Sequence, residues 1–318
     1  MVAGRVVERE PMAGGAFITG ISGFIGRALA ARLKERGLAV AGLVHSPAEV
    51  PGCRVLPGEV VHPASYAAEV ARARYVVHLA APTTAAQING NPLETLKVNW
   101  RGTCNVLDCF RGGEGEHFVL LSSGKVYGTP ETLPIPENHR LAPTTVLGKA
   151  KKAAEDLVSF YADYSANKRF TILRIFNAYG PGQKPDFLIP TILRQLDKSE
   201  IELGDTASRR DFVYLDDVVD AITTVLFNPR DPDVGAADLR IFNVGSGSSR
   251  SPAEIVDLLG TIVGRQLRVT VDRQRLRSGE ADEERADVRR LTALGWQPRV
   301  DLKSGLELTW RSFNAVRA

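Results

Sequence analysis

Cysteine, long apolar runs and excess charge are all scarce in this chain, and each scarcity removes a class of protein. The three cysteines, Cys53, Cys104 and Cys109, are too few and too irregularly placed for a disulfide framework, and no Cys-x-x-Cys pair points to zinc. A reducing, cytoplasmic setting is therefore expected, with no metal. The longest uncharged stretch, Tyr75 to Leu93, is broken by His78, Pro82, Gln87, Asn89, Asn91 and Pro92, so it cannot span a bilayer as a helix. The first residues carry Arg5, Glu8 and Glu10 where a secretory signal places a basic region and an apolar run. Forty Lys+Arg stand against 37 Asp+Glu, a net charge of +3, and without a basic aromatic stripe nucleic-acid binding has little support. At 318 residues and 44% hydrophobic content, the chain can bury one large core or two smaller ones.

What is present alternates. Ala16 to Thr19 reads as a strand, Phe24 to Arg36 as a helix, and Leu38 to His45, Tyr75 to Ala80 and Phe118 to Ser122 as further strands. Leu93, Leu96, Trp100, Leu107 and Phe110 recur at helical spacing, as do Leu147, Ala150, Ala154, Leu157, Val158 and Tyr161 ahead of a β-rich Phe170 to Ile175. This pattern predicts an α/β fold, a Rossmann-like doubly wound parallel sheet with a smaller C-terminal substrate-binding domain. Gly180, Pro181, Gly182 and Pro185 break the alternation. The expected division is residues 1–180, with 212–245 returning to them as a helix and a strand, against 181–211 and 246–318. Residues 1–13 read as an extension ahead of the first strand.

Thr19-Gly20-Ile21-Ser22-Gly23-Phe24-Ile25-Gly26 joins the first strand to the first helix. Gly20 and Gly23 allow a tight turn and close approach of a pyrophosphate, Gly26 allows the helix to pack on the strand, and the helix N-terminus favours the anion. A purely structural turn is the alternative. Where a dinucleotide site places an acid on the adenosine ribose, this chain has Val44-His45-Ser46, with Glu49 several residues late. His45 tolerates a 2′-phosphate but no arginine is evident to recognise one. NAD is the expected cofactor and NADP is not excluded.

Six motifs in order resemble the extended short-chain dehydrogenase/reductase family, specifically its nucleotide-sugar epimerases and dehydratases, over nearly the whole chain. They are the glycine turn, Val77-His78-Leu79-Ala80-Ala81, Val98-Asn99-Trp100-Arg101-Gly102-Thr103, Leu121-Ser122-Ser123-Gly124-Lys125-Val126-Tyr127-Gly128, Arg174-Ile175-Phe176-Asn177-Ala178-Tyr179-Gly180, and the paired segments Arg210-Asp211-Phe212-Val213-Tyr214 and Arg277-Ser278-Gly279-Glu280. The resemblance implies that Leu79, Ala80, Ala81 and Asn99 line the cofactor with Gly20, Ser22, Gly23, Phe24, Ile25, Gly26 and His45. It makes Ser123 the catalytic hydroxyl. It also implies that Arg210 and Arg277 clamp a substrate diphosphate, which suits the guanidinium fork, and that Asn177 offers an amide to the pyrophosphate or base. A homodimer through Leu93 to Arg111 and Val146 to Ala166 is what the family implies.

Two departures carry information. The family's Tyr-x-x-x-Lys pair aligns with Leu147 and Lys151, and leucine cannot move a proton; Tyr164-Ser165-Ala166-Asn167-Lys168 has the same spacing but lies far from Ser123. After Ser123, where retaining 4,6-dehydratases carry Asp-Glu, stand Gly124 and Lys125, closer to the inverting hexosamine dehydratases, in which a lysine is the base. Lys125 is the candidate base beside Lys151. Tyr127, two residues on in an extended chain, is the candidate for proton transfer at the 4-hydroxyl, packing being its alternative role. Cys104 reads as core. The pattern is similar to the hexosamine 5,6-dehydratases of tunicamycin-type antibiotic biosynthesis. It implies a dehydratase acting on a UDP-hexosamine such as UDP-GlcNAc, with NAD tightly bound and recycled as hydride returns to carbon 4 or carbon 6. A 4-epimerase or 4-ketoreductase is the alternative, and a non-catalytic dinucleotide sensor a third reading. Glu284, at the position where related epimerases admit or exclude an N-acetyl group, is neither plainly small nor aromatic and leaves the sugar open.

Overall fold

The computed structural model describes residues 14–228, 238–272 and 281–317. The N-terminal extension and Arg277, with Gly279 and Glu280, lie outside them.

The first half of the chain runs β1 (Ala16–Thr19), α1 (Phe24–Glu35), β2 (Val40–Val44), β3 (Arg54–Pro57), α2 (Ala67–Arg72), β4 (Tyr75–His78), α3 (Ala85–Gly90), α4 (Pro92–Arg111), β5 (His117–Ser123), α5 (Val146–Asp163) and β6 (Arg169–Ile175). There follow β7 (Asn177–Tyr179), α6 (Leu188–Leu193), β8 (Glu200–Leu203), β9 (Arg209–Tyr214), α7 (Leu215–Phe227) and β10 (Asp238–Val244). The chain continues through β11 (Ser249–Arg250), α8 (Pro252–Val263), β12 (Arg268–Val271), β13 (Glu283–Glu284), α9 (Arg289–Thr292) and α10 (Leu302–Arg317).

Seven strands form one sheet in the order β10-β6-β5-β4-β1-β2-β3, every neighbouring pair parallel. β1, β2 and β4 are buried along their whole length, as a sheet covered on both faces requires. One face packs Leu29, Leu33, Val218 and Ile222 of α1 and α7; the other packs Val106, Phe110, Ala154 and Val158 of α4 and α5. Strand order reverses between β1 and β4, and ligands of such sheets bind outside the strand ends at that point.

The rest of the chain builds β11-β9-β13 with β7 alongside β9, and the pair β12-β8, around a separate core of Ile189, Leu193, Ile255 and Leu259. Two expectations are corrected here. The segment 212–225 is not one helix: Phe212 to Tyr214 complete β9, and the helix begins at Leu215 with Asp216 and Asp217 in its first turn, where carboxylates suit the dipole. β3 was not anticipated; it is a half-exposed edge strand of Arg54-Val55-Leu56-Pro57, too short and too mixed to show a period.

Asp217 ties the C-terminal segment to α7. Its Oδ1 accepts from the Arg299 N–H at 2.9 Å and its Oδ2 from the Val300 N–H at 3.1 Å, while the Trp296 indole donates to its carbonyl at 2.9 Å. Burial raises the Asp217 carboxyl above its ordinary range, against the pull of the two N–H donors. Asp217→Ala should lower stability by about 1–3 kcal/mol, since two part-buried backbone donors lose a charged acceptor. The check is a urea titration, read as a lower midpoint at unchanged slope.

Candidate active site

At the switch point the turn after β1 is shaped by its glycines. Gly20 has φ +71, and a Cβ there would press on the Ala80 backbone at 3.2 Å. A Cβ on Gly26 would overlap the Gly20 carbonyl oxygen, so only glycine lets α1 pack this closely. Thr19 fixes the other side of the crevice: its hydroxyl accepts from Leu79 N at 3.0 Å and Ala80 N at 3.1 Å and bonds His78 Nδ1 at 2.7 Å. Burial, then the nearby Lys151 charge, lowers the His78 pKa to about 3, so this imidazole is a neutral tether. α1 has Gly23 as its N-cap, no side-chain cap bond and no acid in its first turn, which leaves its first N–H groups for an anion. The cradle therefore fits a dinucleotide pyrophosphate.

The structure brings Gly20, Ser22, Gly23, Phe24, Ile25 and Gly26 together with Leu79, Ala80 and Ala81 along the ends of β1 and β4. His45 follows β2 on the same edge, exposed, 4.0 Å from Glu59. One arginine does lie beside this loop. Arg27 folds back over the loop after β2, donating to Ser22 O at 3.0 Å and Glu49 O at 2.9 Å. Asn99 is 1% exposed and its amide donates to Thr95 O of its own helix at 2.8 Å; it supports the His78 tether through Thr103, whose hydroxyl bonds both His78 and the Asn99 carbonyl.

The residues expected to be catalytic lie where β5 stops. Ser123 is its last residue, and its hydroxyl accepts from Lys125 N at 3.2 Å. Lys151 reaches Leu121 O from α5 at 2.9 Å; burial, partly opposed by the Glu155 charge, lowers its pKa to about 8. Leu147 sits half-buried one helical turn before Lys151. Gly148 explains the close approach of α5, because a Cβ there would overlap the Lys125 carbonyl oxygen.

The reading of Tyr127 is corrected. Gly124 to Val126 form a turn of 3-10 helix, so Lys125 and Tyr127 do not share one side of an extended chain. Tyr127 is fully buried, donates to Asn243 Oδ1 at 2.6 Å and accepts from Arg174 Nη1 at 3.0 Å. Burial outweighs Arg174 and pushes its phenol up to about 12, leaving a structural hydroxyl. Lys125 is not an isolated amine either: its Nζ donates to Glu284 Oε1 at 2.8 Å.

Asn177 and Arg210 come to this cleft from the smaller sheet. The Asn177 amide donates to Asp211 O at 3.2 Å. Arg210 is buried, donates to its neighbour's carbonyl at 3.0 Å and lies 3.7 Å from Glu284 Oε2. Asp211 fixes this strand by accepting from Ser246, Gly247 and Ala286 N–H groups at 2.6, 3.0 and 3.0 Å. Lys168, of the decoy pair, donates to Gly113 and Gly115 carbonyls at the opposite sheet end. Cys104 is a packing residue 3.6 Å from the Tyr161 hydroxyl. Sequence reasoning missed the buried Arg174–Glu155 pair at 2.7 Å; its signal was Glu155 one turn beyond Lys151, aimed at the sheet.

A family model described as the NAD dependent epimerase/dehydratase family matches residues 16–245. The GDP-6-deoxy-D-mannose reductase of Pseudomonas aeruginosa is 32% identical over 91% of this chain and 94% of its own length. A Methanocaldococcus jannaschii protein named as a UDP-glucose 4-epimerase is 31% identical over 75% of this chain and 77% of its own. Among solved structures, MoeE5 in complex with UDP-glucuronic acid and NAD superposes with a TM-score of 0.86, at 28% identity, covering 95% of this chain and all of that one. TunA, an NAD-dependent NDP-hexosamine 5,6-dehydratase of tunicamycin biosynthesis, superposes with a TM-score of 0.83 at 28% identity, covering 94% and 97%. The match across the whole seven-stranded sheet makes this chain a member of the NAD dependent epimerase/dehydratase family.

Proposed function

We propose that the protein acts on a UDP-sugar by NAD-dependent redox chemistry at carbon 4 of the hexose. The observation that carries this is the convergence of the glycine cradle, Lys151 and Ser123 at one switch point, facing Arg210 across the cleft. When bound, NAD supplies a hydride acceptor and donor for that carbon. Ser123 would hydrogen-bond the 4-hydroxyl, and Lys151 would hold the nicotinamide ribose with its ammonium form. Arg210, with Arg277 and Asn177, would receive the diphosphate. These retained residues weigh against the non-catalytic sensor.

The names of the relatives support return of hydride to carbon 4, as a 4-epimerase or a 4-ketoreductase. A second reading is dehydration of a UDP-hexosamine. Epimerisation and dehydration both begin with oxidation at carbon 4, which needs an acceptor for the 4-hydroxyl proton that Leu147 cannot be; elimination from the 4-keto sugar then needs a base for the carbon 5 proton and an acid for the departing 6-hydroxyl. Lys125 and Glu284 provide an amine and a carboxylate 2.8 Å apart for that purpose. Leu93, Leu96 and Trp100 on α4, Phe160 on α5 and Tyr164 just beyond it are exposed, which supports the proposed homodimer through these helices. No helix among the described residues is long and apolar enough to cross a membrane.

Incubation of the purified protein with NAD and UDP-glucose or UDP-N-acetylglucosamine, and with NADH and their 4-keto derivatives, in deuterated water, distinguishes the outcomes. An epimer of unchanged mass, or NADH consumption on the 4-keto sugar, supports the first reading; loss of one water with NAD retained supports the second. Unchanged sugars in every incubation would remove both.

Lys151 also predicts a pH dependence. The ammonium is the form that donates to a ribose, and it is lost as pH rises through about 8, so kcat/KM should fall along a single ionisation there. In Lys151→Arg the guanidinium does not titrate, and that limb should vanish from the profile, although overall activity drops. A limb that persists in this variant would assign the ionisation elsewhere.

A further inference from the structure

A second concentration of positive charge lies on the outer side of α1 and α7, away from the cofactor crevice. Arg32 is in the last turn of α1 and Arg36 is its C-cap, roughly 13–20 Å along the helix from the Gly23 cap, so neither can serve the cradle at the other end. Opposite them the chain returns after α9. Gly295 turns with φ +89, Trp296 enters the core at 3% exposure, and Gln297 and Arg299 are left exposed. This turn is held in place, because Asp217 of α7 takes the Arg299 and Val300 N–H groups on its carboxylate and the Trp296 indole on its carbonyl. Between the two runs is a cleft of about 180 Å³, lined by the three arginines with Asp220, Thr224, Gln297 and Trp296.

The charge of this cleft is not balanced within the chain. Arg32 pairs with Asp220 and, from the solvent side, lies 3.6 Å from Glu35. Arg36 rests over the Phe227 ring at 5.0 Å and has no ion pair among the described residues. Arg299 has neither an ion pair nor a side-chain hydrogen bond among them. Three guanidinium groups that face one cleft repel each other, and a bound anion removes that cost. Phosphate suits them best, since the guanidinium fork pairs with its oxygens through parallel N–H bonds, and the Thr224 hydroxyl and Gln297 amide add neutral donors. The cleft is concave and small, and a chain of net charge +3 offers no basic track leading away from it for a nucleic acid to follow.

We propose that this cleft is a binding site for the phosphate or diphosphate group of a small phosphorylated compound, separate from the cleft proposed for NAD and the UDP-sugar. Occupancy ties α1 to the C-terminal segment through charge as well as packing, and so stabilises the unit that carries the cofactor cradle.

The test is calorimetric titration of the NAD-loaded protein with sodium phosphate and sodium pyrophosphate, at constant ionic strength and against a sodium chloride control, on the wild type, Arg36→Gln, Arg299→Gln and Arg210→Gln. Arg36 and Arg299 are exposed, so their variants should melt at the wild-type temperature when no anion is added. At least one anion should bind the wild type and raise its melting temperature. Arg36→Gln and Arg299→Gln should each weaken that binding about tenfold or more, whereas Arg210→Gln should leave it intact. Tighter binding of pyrophosphate identifies a diphosphate as the group held, and tighter binding of phosphate a monophosphate. Heat no larger than that of chloride, or binding that survives both Arg36→Gln and Arg299→Gln and is lost only in Arg210→Gln, overturns the site.

Discussion

The ion pair between Arg174 and Glu155 organises the catalytic half of this molecule. Both side chains are nearly inaccessible to water, and moving two charges out of solvent costs several kcal/mol each unless every hydrogen-bonding position is used. They are well used: Arg174 donates through Nε and Nη2 to Glu155, and through Nη1 to the Tyr127 hydroxyl and the Glu137 carbonyl, while Glu155 also takes the Ser122 hydroxyl. Ser122, Arg174 and Asn243 lie abreast on β5, β6 and β10, and Tyr127 bridges Arg174 to Asn243. One buried network thus joins three parallel strands, the turn after Ser123 and α5. Removing either charge alone would strand the other at a cost of about 3–5 kcal/mol. Its position, one turn along α5 from Lys151 and two from Leu147, fixes the rotation of the helix that faces the nicotinamide end.

That anchoring changes what each polar group can do. Tyr127 lies near the reacting end in sequence, but its hydroxyl completes the network, so its phenol is pushed to about 12 and kept from solvent. Lys151, held on the Leu121 carbonyl in a desolvated place, is lowered to about 8 with Glu155 as a partial counterweight. The same distinction separates Asn99 from the groups at the cofactor cradle. Its backbone carbonyl takes the Thr103 hydroxyl that bonds His78, and its amide donates to Thr95 O.

The sheet was largely legible in the sequence because its physics is local. Ala16 to Thr19 is a fully buried strand with a glycine turn behind it, and Phe24 onwards has one apolar face, so neither needs a distant contact to be recognised. Motifs reached as far as the placement of single residues: the glycines lie in the turn after β1, Ser123 at the end of β5, Lys151 on α5 and Arg210 on β9. What escaped depends on partners far apart in the chain. Glu284 meets Lys125 across 159 positions, and nothing in its local sequence announces a buried acid between two cations. Arg27 is a helix residue by pattern, and only the loop after β2 turns it into a neighbour of the adenosine end. Tyr127 was misread for a related reason, since a 3-10 turn and an extended strand differ in where every second side chain points.

Leu147 is the residue on which the chemistry turns. All seven tyrosines of the chain fall within the described residues, and the others do not replace the absent phenol. Tyr66 bonds the Val60 carbonyl, Tyr161 bonds Asp108, Tyr179 and Tyr214 pack in the second core, Tyr75 begins β4 at the far end of the sheet, and Tyr164 is exposed beyond α5. In the proposed reaction, a proton leaving the 4-hydroxyl would therefore pass to Ser123, to Lys151, or by way of Lys125 to Glu284. Serine is a poor final acceptor, and Lys151 serves only in its neutral form, which becomes abundant above about pH 8. In the proposed reaction the Glu284 carboxylate would accept that proton by way of Lys125, leaving an ammonium and a neutral carboxyl, so that the pair gains one positive charge until the proton is returned. With leucine at the tyrosine position, the proposed proton traffic would move from the α5 helix towards the wall shared with the smaller sheet.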